Sequence, residues 1–179
     1  SKEDILAASR DLIKENGWAA VSIRAVASRC SVSAGTIYNY YESKADLLSD
    51  TIESIWHEIF FHPEDEQVFH DVESCISWIY ERLEYGNRQF PGFFSLHSFG
   101  FMRDEKTSGK KRMMKTWGHI LNGLCEVLGN DPKVRADVFD QEFTEKKFAD
   151  ILFSLILVSM IRQDYDPSSV LMLVKKTLY

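Results

Sequence analysis

Val21 to Leu48 reads VSIRAVASRCSVSAGTIYNYYESKADLL, two short helical segments, a tight turn and the capped start of a longer helix. Ser22 stands at an N-cap position. Ile23, Val26 and Ala27 follow at i, i+3 and i+4, which gives a short helix one apolar inner face and turns Arg24 and Arg29 outward. After Cys30-Ser31-Val32, Ser33 caps a second short segment, SAGTIYNYY, in which Ile37 and Tyr41 face inward. Ala34, Thr36, Tyr38, Asn39 and Tyr40 remain on its exposed side. The segment opens with the small residues Ser33, Ala34, Gly35 and Thr36, so its backbone can come close to a surface, and a major groove about 12 Å wide admits a helix in that way. Ser43-Lys44-Ala45-Asp46 then resembles a capping box, and Leu47, Leu48, Ile52, Ile55 and Ile59 continue an inward stripe over a helix predicted at 44–61. Lys44 at that helix start, beside free N–H groups and the positive dipole end, makes a phosphate seat; taken alone, it is a solvated charge.

Upstream, Ile5, Ala8, Leu12 and Ile13 form one stripe of an amphipathic helix that Asn16-Gly17 stops, with Ser1 and Asp4 as its capping box. Trp18 and Val21 are expected to pack beneath it. The net charge of −6 over 179 residues first argues against a nucleic-acid partner, but its distribution reverses that. Residues 1–20 carry −1, residues 21–44 carry +2 and residues 45–179 carry −7. A locally positive head on an acidic body still binds phosphate, because screening limits surface charges to about 8 Å at physiological salt.

The composition, 45% hydrophobic and 27% charged with four prolines and nine glycines, is that of an ordinary globular protein. Ile151 to Ile161 is the longest nearly apolar run and is too short for the ~20 residues of a membrane span. The N-terminus lacks the basic-then-apolar order of a signal peptide, so a cytoplasmic location is expected. Cys30, Cys75 and Cys125 are odd in number and form no C-x-x-C pair, which suits reduced thiols.

Beyond Phe61, His62-Pro63-Glu64-Asp65 breaks the chain. A helix is predicted from about Glu66 to Tyr85, carried by Val68, Val72, Cys75, Ile76, Ile79 and Leu83 and ended by Gly86-Asn87. Phe90 to Met102 holds five phenylalanines and two glycines. This stretch lines a pocket for an apolar or aromatic ligand or, equally, forms the core of an irregular helix. Another helix spans Glu105 to Leu128, apolar at Trp117, Ile120, Leu121, Leu124, Val127 and Leu128. Asp131-Pro132 opens a polar connector. Phe148 to Ile161 is apolar on nearly every face, as in a helix buried all round, and Asp166-Pro167-Ser168 caps a last helix.

Ala27, Val32, Ser33, Gly35-Thr36-Ile37-Tyr38, Tyr41, Ser43-Lys44 and Leu47 together resemble the head signature of the TetR family of transcriptional regulators, over about residues 4–50. The resemblance implies an all-α fold, an N-terminal three-helix helix-turn-helix head (1–48) and a larger helical ligand-binding and dimerisation body (49–179). It also implies homodimers on double-stranded DNA, with the fourth helix linking head to body. Ser33, Thr36 and Asn39 are the expected base-edge contacts; Tyr38, Tyr40 and Lys44, with Arg24 nearby, are expected to hold phosphates, and Ala34 lies among them. Ligand candidates in the body are Trp78, Phe90, Phe93, Phe94, His97, Phe101, Trp117 and His119. The resemblance makes the last two helices the dimer interface, through Phe153, Leu157, Met160, Ile161, Val170, Leu171, Val174 and Leu178. Two departures stand out. Cys30-Ser31 replaces the family's common Ala-Gly, so Ser31 is expected to take the left-handed turn conformation at ~1–2 kcal/mol, and Tyr40-Tyr41 replaces His-Phe.

No G-x-S-x-G, P-loop, dinucleotide-binding glycine pattern or H-E-x-x-H occurs, so no enzyme motif and no cofactor is expected. His57, His62 and His70 lie near acidic residues, but their spacing matches no metal site. The sequence supports a ligand-responsive, repressor-type regulator binding a near-palindromic operator. Its rivals are a protein of the same fold controlled by a protein partner or by no ligand, and a helical carrier or enzyme with a vestigial head.

Overall fold

A computed structural model describes residues 1–61, 69–94 and 108–179. The described residues are helical and contain no strand. The helices are α1 (Lys2–Asn16), α2 (Ile23–Arg29), α3 (Ala34–Tyr38), α4 (Lys44–Phe60), α5 (Val72–Gln89), α6 (Ser108–Asn130), α7 (Glu145–Arg162) and α8 (Ser168–Leu178), with a 3-10 turn at Trp18–Ala20. None of them is long and apolar enough to cross a membrane.

Local chemistry starts the head helices where the sequence places them. Ser1 and Asp4 form a reciprocal capping box on α1, while Ser22, Ser33 and Ser43 accept from the backbone N–H of Ala25, Thr36 and Asp46 at the starts of α2, α3 and α4. Each cap satisfies an N–H that has no partner inside its helix. α3 is shorter than predicted: it ends at Tyr38, and Asn39 is its C-cap.

Contacts divide the chain into two compact units, Ser1–His62 with Tyr85–Met114 and Pro63–Glu84 with Lys115–Tyr179. In the first unit, Ile5, Ile13, Val21, Val26, Ile37 and Leu47 are buried between α1, α2, α3 and α4. The other face of α4 meets an aromatic cluster: Trp56 stacks on Phe60 at 5.7 Å and meets Phe93 and Phe94 at 5.4 and 5.6 Å. Glu58 ties the helices together, accepting from Lys14 Nζ at 2.7 Å and Arg10 Nε at 3.2 Å on α1, and from the Tyr85 hydroxyl at 3.4 Å on α5.

α5 does not stop at Gly86-Asn87. It runs on to Gln89, and the Phe90 N–H donates to the Gly86 carbonyl at 2.9 Å. The glycine is a close-approach position rather than a cap, because a Cβ there lies 2.6 Å from Ile59 Cδ1 and 3.1 Å from Phe94 Cζ. This helix starts at Val72 rather than at Glu66: Phe69, His70 and Asp71 precede it outside the helix, and the Asp71 carboxylate accepts from the Ser74 N–H at 2.7 Å, while Glu66 to Val68 and the predicted start of the next helix at Glu105 to Thr107 lie outside the described residues.

In the second unit, Ile76, Leu83, Leu124, Leu152, Ile156 and Val174 form the core. Buried Asp131 staples three segments, accepting from the Val72 N–H (2.9 Å), the Lys133 N–H (2.9 Å) and the Tyr179 hydroxyl (2.5 Å). The Lys133 ammonium, 2.8 Å away, and the Ser74 contacts hold the Asp71 carboxyl down at about 2. α7 is not buried all round: Ile151, Val158 and Ile161 are exposed, and so are Met172 and Leu173 on α8. Its uniform apolarity reflects a core-facing side and a second side left open in the single chain.

Candidate nucleic-acid interface

The turn between α2 and α3 sets the direction of α3. The Ser31 N–H donates to Ser28 O at 3.1 Å and the Val32 N–H to Ala27 O at 2.9 Å, the double bond of a Schellman end. That closure requires a left-handed residue at position 31, and Ser31 has φ 55°. The expected strained serine is therefore present.

α3 buries Ile37 completely, and Tyr41 just beyond it is 3% exposed. Both anchor the segment, and Lys2 Nζ lies 5.4 Å from the centroid of the Tyr41 ring. The outer side shows Tyr38 at 56% and Tyr40 at 48% exposed, with Asn39 exposed between them. Thr36 and Ala34 are half-buried. Ser33 is only partly available, since its Oγ accepts from the Thr36 N–H at 3.2 Å and pairs with Thr36 Oγ1 at 3.1 Å. The pair has one hydroxyl proton more than this bond uses, so one hydroxyl can still donate outward.

Arg24 on α2 and Lys44 on α4 are both exposed and make no ion pair among the described residues. Arg29 differs. Its guanidinium is bidentate to Glu15, with Nη1 to Oε2 at 2.6 Å and Nη2 to Oε1, which lowers the Glu15 pKa and raises that of Arg29. It braces α2 against α1 instead of offering a free charge. At the start of α4 the Ser43 hydroxyl donates to Asp46 Oδ2 at 2.7 Å. Asp46 is the one acidic residue in the first turn of α4. The Cys30 thiol sits beside the turn, and partial burial pushes its pKa up, so it stays protonated.

The structure places the remaining predicted residues in two groups. Phe90, Phe93 and Phe94, at 0%, 3% and 1% exposure, form part of the interior of the first unit, Phe93 and Phe94 against Trp56 and Phe90 against Phe93. Trp56 and Phe60 were missed because they lie beside the Ile52, Ile55, Ile59 stripe; their own i, i+4 spacing was the available signal. Trp78, Trp117 and His119 belong to the second unit, with Trp78 against Phe69 at 5.3 Å and Trp117 against Phe153 at 5.7 Å. His119 is exposed. His97 and Phe101 lie outside the described residues, as does His62. Among the described residues no cluster of three His, Cys, Asp or Glu is placed to hold a metal ion.

Of the predicted interface residues, Met160, Val170, Val174 and Leu178 are already buried within the chain, Phe153, Leu157 and Leu171 are half-buried, and Ile161 is exposed. The open apolar stripe on α7 is Ile151, Val158 and Ile161, with Ser154 in line at helical spacing. No periodicity signal separates this stripe from the core side of so apolar a helix.

Residues 5–51 match the family described as "Bacterial regulatory proteins, tetR family". Over 48 residues the chain is 38% identical to the HTH-type transcriptional regulator UidR of Escherichia coli K12. That stretch is 27% of this chain and only 24% of the relative, about a quarter of each. The likeness of fold extends much further. A transcriptional regulator FadR from Bacillus subtilis, in complex with stearoyl-CoA, superposes with a TM-score of 0.66 at 18% identity, over 100% of both chains. A TetR transcription regulator from Haloarcula marismortui gives 0.69 at 18% identity, over 99% of this chain and 95% of the other.

Proposed function

With a tetR-family head at residues 5–51 as the premise, we propose that this chain is a ligand-responsive DNA-binding transcriptional regulator, a repressor in its default state. It binds a near-palindromic operator as a homodimer, the two heads reaching major-groove sites about 34–36 Å apart. The observation that carries this reading is the outer side of the α3–α4 turn. Exposed Tyr38, Asn39 and Tyr40 lie there, ending four residues before an exposed Lys44 that makes no ion pair among the described residues, on a head whose Arg29 is paired with Glu15 and whose Lys2 is paired with Asp50. Thr36, Ser33 and Asn39 take the base edges. Tyr38, Tyr40, Lys44 and Arg24 take phosphates and fix the register.

The second chain covers the open stripe of α7 and Met172 and Leu173 of α8, where large apolar side chains otherwise face water. The body takes an apolar or aromatic effector, and ligand binding shifts α4 and with it the spacing of the two heads, favouring the DNA-free state. Stearoyl-CoA bound to the Bacillus subtilis regulator supports the idea that a body of this fold accepts a ligand.

A gel-shift salt series against the promoter region upstream of its own coding sequence tests the reading. Binding should weaken steeply with salt, and Lys44→Ala should weaken all duplexes about equally and reduce the salt slope by about one. Thr36→Ala should relax preference at one base position only, by about 1–3 kcal/mol. Absence of salt-dependent binding to any fragment would falsify the regulator reading.

A further inference from the structure

Trp56 carries a polar atom to which the chain gives no partner. The residue is 3% exposed, and its buried indole N–H meets no hydrogen-bond acceptor among the described residues. Its ring neighbours are Phe60, stacked at 5.7 Å, Phe93, edge-on at 5.4 Å, and Phe94 at 5.6 Å. A ring face is a weak acceptor, and a buried donor left unpaired is costly. A phenylalanine would fill much of the same space without that cost. A buried water needs about three polar partners, and the three rings offer it none.

The charges nearby narrow what the missing acceptor can be. Lys14, whose ammonium lies 5.0 Å from the centroid of the Phe90 ring, is held by Glu58 at 2.7 Å, and Arg10 is shared between Glu58 and Glu3. Both cations are already matched by carboxylates. An acid or a phosphate among the rings would therefore be buried without a countercharge, whereas a carbonyl or ether oxygen carries no such penalty.

The ring is covered by a turn. Phe93 and Phe94 follow α5 in a non-helical turn in which Gly92 takes φ 79°, and such segments open more readily than helix interiors. The same turn reaches the head, because the Phe93 ring lies 6.3 Å from that of Trp18.

We propose that Trp56 is a ligand-binding residue: its indole N–H donates to an uncharged acceptor oxygen on an apolar or aromatic effector seated among Phe60, Phe93 and Phe94. The proposal rests on the ligand-responsive reading and specifies the effector's chemistry, an aryl ketone, ester or amide rather than an acid or a phosphate. A ligand there presses on rings that meet Lys14 of α1 and Trp18 of the 3-10 turn as well as α4, so its effect enters the compact unit that holds the head.

The experiment uses the full chain with 15N-labelled tryptophan and three probes of nearly equal size, acetophenone, ethylbenzene and benzoate. Four tryptophans give four indole N–H signals. The single variants Trp18→Phe, Trp56→Phe, Trp78→Phe and Trp117→Phe assign them, by elimination if one fails to fold. Acetophenone should move the Trp56 indole proton downfield by more than the other three, and ethylbenzene should not. Wild type should bind acetophenone about three- to tenfold more tightly than ethylbenzene, and about tenfold or more tightly than benzoate. In Trp56→Phe the two neutral probes should bind alike. A Trp56 signal that responds to none of the probes, as a permanently held water would leave it, overturns the proposal. So does a preference for acetophenone that survives in Trp56→Phe, or tightest binding by benzoate. If the Trp56 response appears as expected while acetophenone leaves DNA affinity unchanged, the site stands and the ligand-responsive reading falls instead.

Discussion

Two stretches of the same compact unit, Cys30–Lys44 and Gly86–Phe94, each combine a helical glycine with large aromatic side chains, under opposite demands. In the second stretch the chain itself accounts for the glycine at 86 and for the three phenylalanines. Phe90, Phe93 and Phe94 are at most 3% exposed, and Gly86 is the only residue that lets α5 pass Ile59 and Phe94 so closely. In the first stretch it does not: Tyr38 and Tyr40 are about half exposed, and a Cβ at Gly35 would meet only Ser33 Oγ, at an ordinary 3.6 Å. A residue that its own fold does not explain marks the surface where something else does.

The widest separation between the stretches should come from truncating one aromatic in each. Phe94→Ala removes a ring that is 1% exposed and packs against Trp56, and should destabilise the protein by about 3–5 kcal/mol in urea unfolding. Tyr40→Ala removes a ring that is 48% exposed and should stay within about 0.5 kcal/mol of wild type. Comparable losses in the two variants would erase the contrast and return Tyr40 to the core.

The two glycines should differ in sign. In Gly86→Ala the new methyl meets Ile59 and Phe94, both too deeply buried to yield freely. Overpacking costs about 1–3 kcal/mol against a helix-propensity gain of about 1, so a net loss of up to about 2 kcal/mol is expected. Gly35→Ala should gain stability instead. Ile59→Val in the Gly86→Ala background should restore part of the loss, because the two changes share one contact and are not additive. A stable Gly86→Ala protein would mean that α5 and α4 approach less closely than 2.6 Å from that methyl implies.

The same division explains what the sequence reveals. The starts of α1 to α4 were legible because a serine cap acts within three residues, and Ser1, Ser22, Ser33 and Ser43 each cap the backbone as their positions predicted. The left-handed Ser31 was legible for a related reason: a helix that must turn at once into another closes through its own carbonyls. Gly86 was misread as a stop because a glycine carries two meanings. It either permits positive φ or permits close approach, and only the position of Ile59, 27 residues earlier, decides between them. The open face of α7 was illegible for the opposite reason. Its core side and its outer side are equally apolar, so no period distinguishes Leu152 and Ile156 from Ile151 and Val158. Of the candidate interface, residue types and exposure were read from periodicity, whereas the pairing of Arg29 with Glu15 joins residues 14 apart and required the fold.

Ser31 gives the finest test, since it belongs to the outward-looking stretch but is explained by the chain. As the residue after the C-cap of α2 it must be left-handed for the Val32 N–H to reach Ala27 O, and serine pays about 1–2 kcal/mol for that conformation. Ser31→Gly removes the strain but frees the unfolded backbone by about 0.5–1 kcal/mol, so a net gain of about 0.5–1 kcal/mol is expected in urea unfolding. Because the residue is neutral, the salt slope of DNA binding should not move. A gain in stability with unchanged slope assigns Ser31 to the architecture of the turn. A gain accompanied by weaker binding to a duplex selected by wild type from a randomised pool, with binding to an unrelated one intact, would instead assign its hydroxyl to the same face as Gly35. The boundary between what serves the fold and what serves the partner would then move by four residues.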